Sequence, residues 1–252
     1  MRRLLAVAGH AKEEMVSQTC VCTVSLARDE REARLIHGTL EQLSHAGIPV
    51  VVADGGSPPD FVDAISALPH VSVVIPQQSG LVGQVQAAFA AARVTQAPFV
   101  LYLESDKALF AQQHLAGFLE RACTDADVGA VLAGRSGRSF ATFPALQRST
   151  EARINEMTGT MIGRAGDYSY GPFLLNVRLV SNVDRLRPSL GWGWRHFMFG
   201  IAHRLGYRLM HVTGDYDCPM EQREEGEHER QHRERQLEQN IEGLRLSVTE
   251  QL

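Results

Sequence analysis

Two acids one residue apart, Glu104 and Asp106, follow the apolar run FVLYL, with Ser105 between them. Carboxylates so close beside a buried strand repel each other and need a cation or hydrogen-bond donors. A hard divalent ion, Mg²⁺ or Mn²⁺, bridging the pair to a diphosphate would satisfy both, whereas a plain helix cap is the structural alternative. A second constellation, His228-Glu229-Arg230-Gln231-His232, matches H-E-x-x-H, in which two His one helical turn apart hold zinc and the Glu activates water. Its flanks, EEGE and RERQ, offer no apolar wall that could bury a zinc helix. The expected reading is therefore a solvated helix laced with Glu-Arg pairs, or a lid carrying Arg223 or Arg230 over a diphosphate, and not a metalloprotease. Cys20 and Cys22 lie two apart in an apolar run, where a strand points both to one face, so they read as core thiols and not as a metal or redox pair.

The elements that must position these residues follow from hydrophobic periodicity. From Thr19 onward, short β-rich runs (TCVCTVSLA, IPVVVA, VSVVIP, APFVLYL, VGAVLAG) alternate with helical patterns, the signature of a mostly parallel α/β sheet flanked by helices. The segment RDEREARLIHGTLEQLSHAG carries apolar Ala33, Leu35, Ile36, Leu40 and Leu43 at helical spacing and stops at Gly47. Beyond Arg135 the pattern weakens, with one helix around LQRSTEARINEM, and residues 135–167 read as a variable region over the sheet face. Order returns with YSYGPFLLNVRLV and then GWGWRHFMFGIAHRLGYRLMHV, a helix, a Gly and a strand. The sequence divides into a main domain over 1–218 and a charged helical arm over 219–252. In that arm Leu237, Ile241, Leu244 and Val248 form an apolar stripe expected to pack on something, possible oligomer contacts included.

In open parallel sheets ligands bind outside the carboxyl ends of the strands, where helix N-termini and free N–H groups converge. The polar residues there are Arg28, Asp29 and Glu30 after the first strand, Asp54 after the second, Ser79 to Gln84 after the third, and Glu104 to Asp106 after the fourth.

Taken in this order the motifs resemble the nucleotide-sugar glycosyltransferases of the GT-A fold, particularly family two, over roughly residues 19–215. VCTVSLARDE is similar to that family's first strand and nucleotide loop, VVVADGGS to its second strand and base-holding Asp, LYLESDK to its D-x-D metal motif, and GIAHRLGYRLMHV to its late helix, Gly and strand. The resemblance implies a metal-dependent transfer of a sugar from a nucleotide-diphosphate sugar to an acceptor. It implies donor contacts from Ala27, Arg28, Glu30, Asp54, Gly80, Gln84, Glu104 and Ser105, with Asp54 on the nucleobase. It implies metal contacts from Asp106 and Glu104, with His211 placed as a third ligand or as a buried structural His. Two positions depart from the pattern. Glu104 stands where the first acid of D-x-D would be, and Trp194 and Arg195 stand where inverting members keep an acid pair. Neither Trp nor Arg can accept a proton at neutral pH. Three readings follow: a base from Asp167, Asp215 or Asp217; a retaining transferase with Arg195 supporting charge on the diphosphate; or a non-catalytic nucleotide-sugar-binding or assembly protein. Tyr170, Trp192 and Trp194 would face the sugar or acceptor as stacking surfaces.

Composition narrows the partners. The 252 residues carry 25 Lys plus Arg against 29 Asp plus Glu, a net charge of -4 that gives no overall attraction to nucleic acid or anionic membranes. No apolar run approaches the ~20 residues of a membrane helix, and MRRLLAVAGHAKEE has too short an apolar stretch for a secretory leader. With four Cys and no disulfide pattern, the expected compartment is the reducing cytoplasm.

Overall fold

In a computed structural model the described residues are 19–224 and 226–251, the His228 side chain excepted. The expectations on MRRLLAVAGHAKEE and on His228 as a zinc ligand fall outside them. In chain order the elements are β1 (Thr19–Ser25), α1 (Glu30–His45), β2 (Val50–Asp54), α2 (Pro59–Ser66), β3 (Val71–Val74), α3 (Leu81–Arg93) and β4 (Phe99–Tyr102). Then come α4 (Ala108–Gln113), α5 (Leu115–Arg121), β5 (Val128–Arg135), α6 (Gly137–Phe140), α7 (Ala145–Ile162) and β6 (Phe173–Asn176). Two 3-10 stretches, Val177–Arg185 and Pro188–Gly193, lead to α8 (Trp194–Arg204), β7 (Arg208–Gly214), a short 3-10 turn (Met220–Gln222) and α9 (Glu227–Thr249). Among the described residues no helix is long and apolar enough to cross a membrane.

The chain forms two compact units. The first contains β1 to β4, the helices between them up to Ala122, and residues Leu174–Val180. Its strands lie in the order β3-β2-β1-β4-β6, and β3, β2, β1 and β4 run parallel. All seven residues of β1 and all five of β2 are buried, as befits strands covered on both faces. Parallel register sets Ser25 opposite Asp54, so that β1 and β2 end level, and Cys22 opposite Tyr102, so that β4 ends three residues earlier. Asp29 caps α1 by accepting from the Glu32 N–H, and Glu32 reaches back to the Arg28 N–H at 2.8 Å. The helix buries Ile36, Leu40 and Leu43 as its periodicity requires. Cys20 and Cys22 are free, buried thiols, and burial pushes Cys22 well above the usual thiol range.

The second unit contains Cys123–Phe173 and Ser181–Leu252, with β5 and β7 paired in parallel so that Gly134 faces Thr213. Helix α8 is buried over residues 194–202 without interruption. Against it lies α9, and here the expected stripe is corrected: Val248 is 53% exposed, while Asn240, Gly243, Leu244, Leu246 and Ser247 are the buried positions. The cause is close approach. A Cβ on Gly243 would stand 2.0 Å from the Gly193 carbonyl oxygen, and one on Gly200 would stand 1.9 Å from Ser247 Oγ. At these two points the backbones meet through small residues. Helix α7 contains the segment LQRSTEARINEM expected to be helical in the region 135–167, and it ends at Gly163, whose φ of 75° permits the left-handed cap.

Candidate active site

At the carboxyl end of β2 the Asp54 side chain is almost fully buried and accepts four hydrogen bonds. Oδ1 accepts from Ser25 Oγ (2.9 Å) and Ser57 Oγ (2.6 Å), and Oδ2 from the N–H groups of Gly56 (2.9 Å) and Ser57 (2.8 Å). A carboxylate offers about four acceptor sites, and all are filled by the chain itself. Asp54 therefore shapes the Asp54–Ser57 turn, and the expected direct bond to a nucleobase is not what this geometry provides. Ser57 Oγ also accepts from the Ala27 N–H at 2.8 Å, which ties the loop after β1 to the turn after β2.

Gln84, in the first turn of α3, donates from Nε2 to the Ser25 (2.7 Å) and Ala53 (3.0 Å) carbonyls. Both amide hydrogens are thus occupied, and Gln84 joins β1 to β2 instead of reaching a donor. It also explains Gly55, since a Cβ there would fall 2.8 Å from Nε2. Gly80 adopts φ 88° in the exposed turn before α3. Arg28 and Glu30 are exposed and pair with Glu32 (3.0 Å) and Arg34 (3.3 Å). Ala27 and Glu30 line an open groove of about 690 Å³ together with His37 and Phe61.

After β4, the Lys107 N–H donates to the Glu104 carbonyl at 3.1 Å and closes a turn in which Glu104 and Ser105 are half-buried and Asp106 is exposed. Among the described residues no group of three or more His, Cys, Asp or Glu side chains could hold a metal ion. Two hard oxygen donors still fit Mg²⁺ or Mn²⁺, because such ions are commonly held by one or two carboxylates while water and substrate phosphate complete the shell. The His211 ring is half-buried edge-on to Tyr168 (4.8 Å), and both ring nitrogens are shielded from solvent. Burial and the nearby Arg164 charge hold it neutral, pushed down to about 4.

The second unit is organised around Arg135, whose side chain is fully buried. Its Nε and Nη2 donate to Asp167 (2.7 and 3.0 Å), Nη2 also meets Glu151 (2.6 Å), and Phe140 and Phe143 flank the guanidinium at 4.6 and 4.4 Å. Asp167 further accepts from the Arg135 N–H, Asn155 and the Ser169 N–H. Despite burial, Arg135 and these donors hold the Asp167 carboxyl below the usual range, which removes it as a base. The sequence pattern did not disclose this cluster, because its partners lie 16 and 32 residues from Arg135; the one visible sign is an Arg ending the apolar run VGAVLAG.

The aromatic expectations divide. Trp194 is fully buried against Phe173 (5.7 Å) and is core, not a sugar platform. Tyr170 is also buried, stacked on Tyr216 at 5.2 Å and set over Arg135. Arg195 is 3% exposed and lies 5.4 Å over the half-buried Trp192, so it is enclosed where contact with a diphosphate was expected. Continuous packing around α8 is the common reason. Beyond β7, Asp215 is exposed and is held by Ser136 Oγ (2.6 Å) and Arg138 (2.9 Å), and Asp217 is half-buried.

Residues 20–176 match the model of glycosyl transferase family 2. The chain belongs to that family. This glycosyltransferase is structurally similar to glucosyl-3-phosphoglycerate synthase from Mycobacterium tuberculosis. In the complex with phosphoglyceric acid the TM-score is 0.66 at 16% identity over 96% of this chain and 84% of that one. In the complex with UDP it is 0.65 at 17% identity, with the same coverage. A second similar structure, a mycobacterial protein, gives 0.56 at 15% identity over 84% and 72% of the two chains. At these identities the likeness establishes the GT-A fold. No curated protein matches the sequence.

Proposed function

We propose that this family-2 glycosyltransferase moves a hexose from a UDP-sugar, with Mg²⁺ or Mn²⁺, to a small hydroxyl-bearing acceptor. The observation that carries this reading is that the Asp54–Ser57 turn and the Glu104/Asp106 pair follow the carboxyl ends of β2 and β4, the two parallel strands that flank β1. The structural relatives add the nucleotide: one synthase complex contains Mn²⁺, UDP-glucose and phosphoglyceric acid.

Each residue acts in a definite way under this reading. Asp54, Ser57 and Gln84 hold the two nucleotide loops in one conformation, so that no ordering cost falls on binding. Asp106 and Glu104 would hold the cation, which when bound neutralises charge on the departing diphosphate. Position 195 offers no base, Trp194 is core, and Asp167 is locked to Arg135, which favours retention of the donor's anomeric configuration and leaves Asp215 and Asp217 as the bases an inverting transfer would need. Calorimetry of UDP binding tests the donor assignment. Mn²⁺ is expected to strengthen binding in the natural protein, and Asp106→Ala is expected to give equal affinities in Mn²⁺ and EDTA. Equal affinities in the unsubstituted protein would overturn the metal assignment.

A further inference from the structure

β3 lies at one edge of the sheet, and among the described residues no further strand pairs with its outer side. The Val50 N–H donates to the His70 carbonyl at 2.8 Å, and the register sets Val50 opposite Val71 and Val52 opposite Val73. In a parallel ladder that pattern takes the bonds to β2 from His70, Ser72 and Val74, so the backbone groups of Val71 and Val73 point to the open side. The Val71 N–H is used by the Leu68 carbonyl (3.3 Å), which leaves the Val71 carbonyl and both groups of Val73 along the outer edge. An edge of this kind is a template for another strand, and proteins ordinarily guard it with charges, proline or a bulge. Pro76 lies beyond the strand and leaves the donors of β3 intact.

Charge is missing here over a long stretch. Residues 64–92, from the end of α2 through β3 and into α3, contain no Asp, Glu, Lys or Arg, although charged residues make up 21% of the chain. The exposed side chains beside β3 are accordingly neutral: Ala67 and Pro69 before it, Ser72 on it, and Ile75 (70% exposed), Gln77 and Gln78 after it. Symmetry makes a second copy of the chain the partner that suits such an edge. On a two-fold axis through Val73 the two strands run antiparallel, and the Val73 N–H of each copy meets the Val73 carbonyl of the other. Residues near that axis face their own copies, so a charge there would oppose itself. A neutral edge is what self-pairing needs, whereas a charged peptide would call for complementary charges that residues 64–92 do not supply. The strand has only four residues, so the pairing is weak and depends on concentration.

We propose that the chain self-associates through β3, two copies pairing antiparallel about a two-fold axis at Val73. The pairing does not depend on the transferase reading, and its test uses the full chain without donor or metal. Sedimentation velocity from about 1 to 100 μM should show the monomer giving way to a dimer, the range expected of a small interface. Hydrogen exchange read by mass spectrometry over residues 71–76 should slow as concentration rises, because the Val73 N–H becomes bonded, while segments of α9 should exchange alike throughout. Ser72→Lys sets two ammonium groups across the axis within about a Debye length, and Ile75→Lys adds charge at the exposed end of the patch. Each should raise the dissociation constant about tenfold or more, through like-charge repulsion. Both residues are exposed, so the variants should fold, and equal melting temperatures at the lowest concentration check that they do. Val248→Lys, a change on the exposed side of α9, should leave association unaltered. A chain that stays monomeric at the highest concentration overturns the proposal. So does a dimer that Ser72→Lys and Ile75→Lys leave intact, one that Val248→Lys dissolves instead, or exchange over 71–76 that ignores concentration.

Discussion

Acidification should loosen the α8–α9 seam through one imidazole. His196 sits on α8, fully buried, and burial together with the adjacent Arg195 charge pushes it down to about 3, while the Asn240 side chain on α9 pulls the other way. In the unfolded chain an imidazole titrates near about 6.5. Below that pH the unfolded chain takes up a proton that the folded chain refuses, so stability falls as pH falls. The effect is absent above pH ~6.5 and complete only near the folded value of about 3. Between pH 7 and pH 5 the difference in proton uptake amounts to about 2 kcal/mol for His196. For a chain of this size that corresponds to a Tm lower by roughly 4–8 °C. His211, held at about 4, adds a drop of similar size over the same interval. The buried carboxyl Asp167 is held below the usual range and titrates only in more acid solution, so this window isolates the imidazoles. Thermal melts of the natural protein and His196→Leu at half-unit pH steps separate the two contributions, because the variant should lose about half of the decline. Parallel curves for the two proteins would refute the argument, and so would an NMR titration placing His196 above pH 6.

Gly243→Ala should destabilise the protein by about 2 kcal/mol or more in urea unfolding, since the new methyl would stand 2.0 Å from the Gly193 carbonyl oxygen and the helices would have to part. A neutral effect would show that the seam yields easily. Arg135→Met should cost about 3–5 kcal/mol, because Asp167 and Glu151 would remain buried without their cation. Denaturant midpoints check this, and a loss under about 1 kcal/mol would remove the cluster's structural role. For the reaction itself, proton NMR of the first-formed product should show the donor's anomeric configuration. An inverted centre would return the search for a base to Asp215 and Asp217.

The alternating pattern of the first unit was legible because each strand there is a buried parallel strand and each helix is amphipathic, two periods that sequence displays directly. TCVCTVS and VVVAD form β1 and β2, and the Leu40/Leu43 face of α1 is buried as spacing required. The seam of α8 and α9 was not legible. Amphipathic reasoning seeks large apolar residues, and this contact is made by Gly193, Gly200, Gly243 and Ser247, which score as neither core nor surface until two backbones are seen to approach. Likewise FLLN runs into a 3-10 stretch instead of a longer strand, because Asn176 Oδ1 accepts from the Arg178 N–H at 3.1 Å and turns the chain.

For the candidate site, sequence pointed to strand ends, and at two of those positions the fold uses the side chain for itself. The oxygens of Asp54 and the amide hydrogens of Gln84 are consumed by hydrogen bonds within the chain. Trp194 and Arg195 drew attention by what they replace, yet α8 encloses both. The exposed charges Asp106, Arg164 and Asp215 are single charges in polar turns, and nothing in their local pattern separates them from ordinary surface residues. What separates them is the backbone beneath. Asp106 rides on a turn at the end of β4, Arg164 on the left-handed cap of α7, and Asp215 just beyond β7, where Ser136 and Arg138 grip it. A charge becomes a binding group when its position is fixed before the ligand arrives, so that the entropy of ordering it is already met on folding. In this chain the hydrogen bonds to Asp54 supply such fixation in the turn after β2.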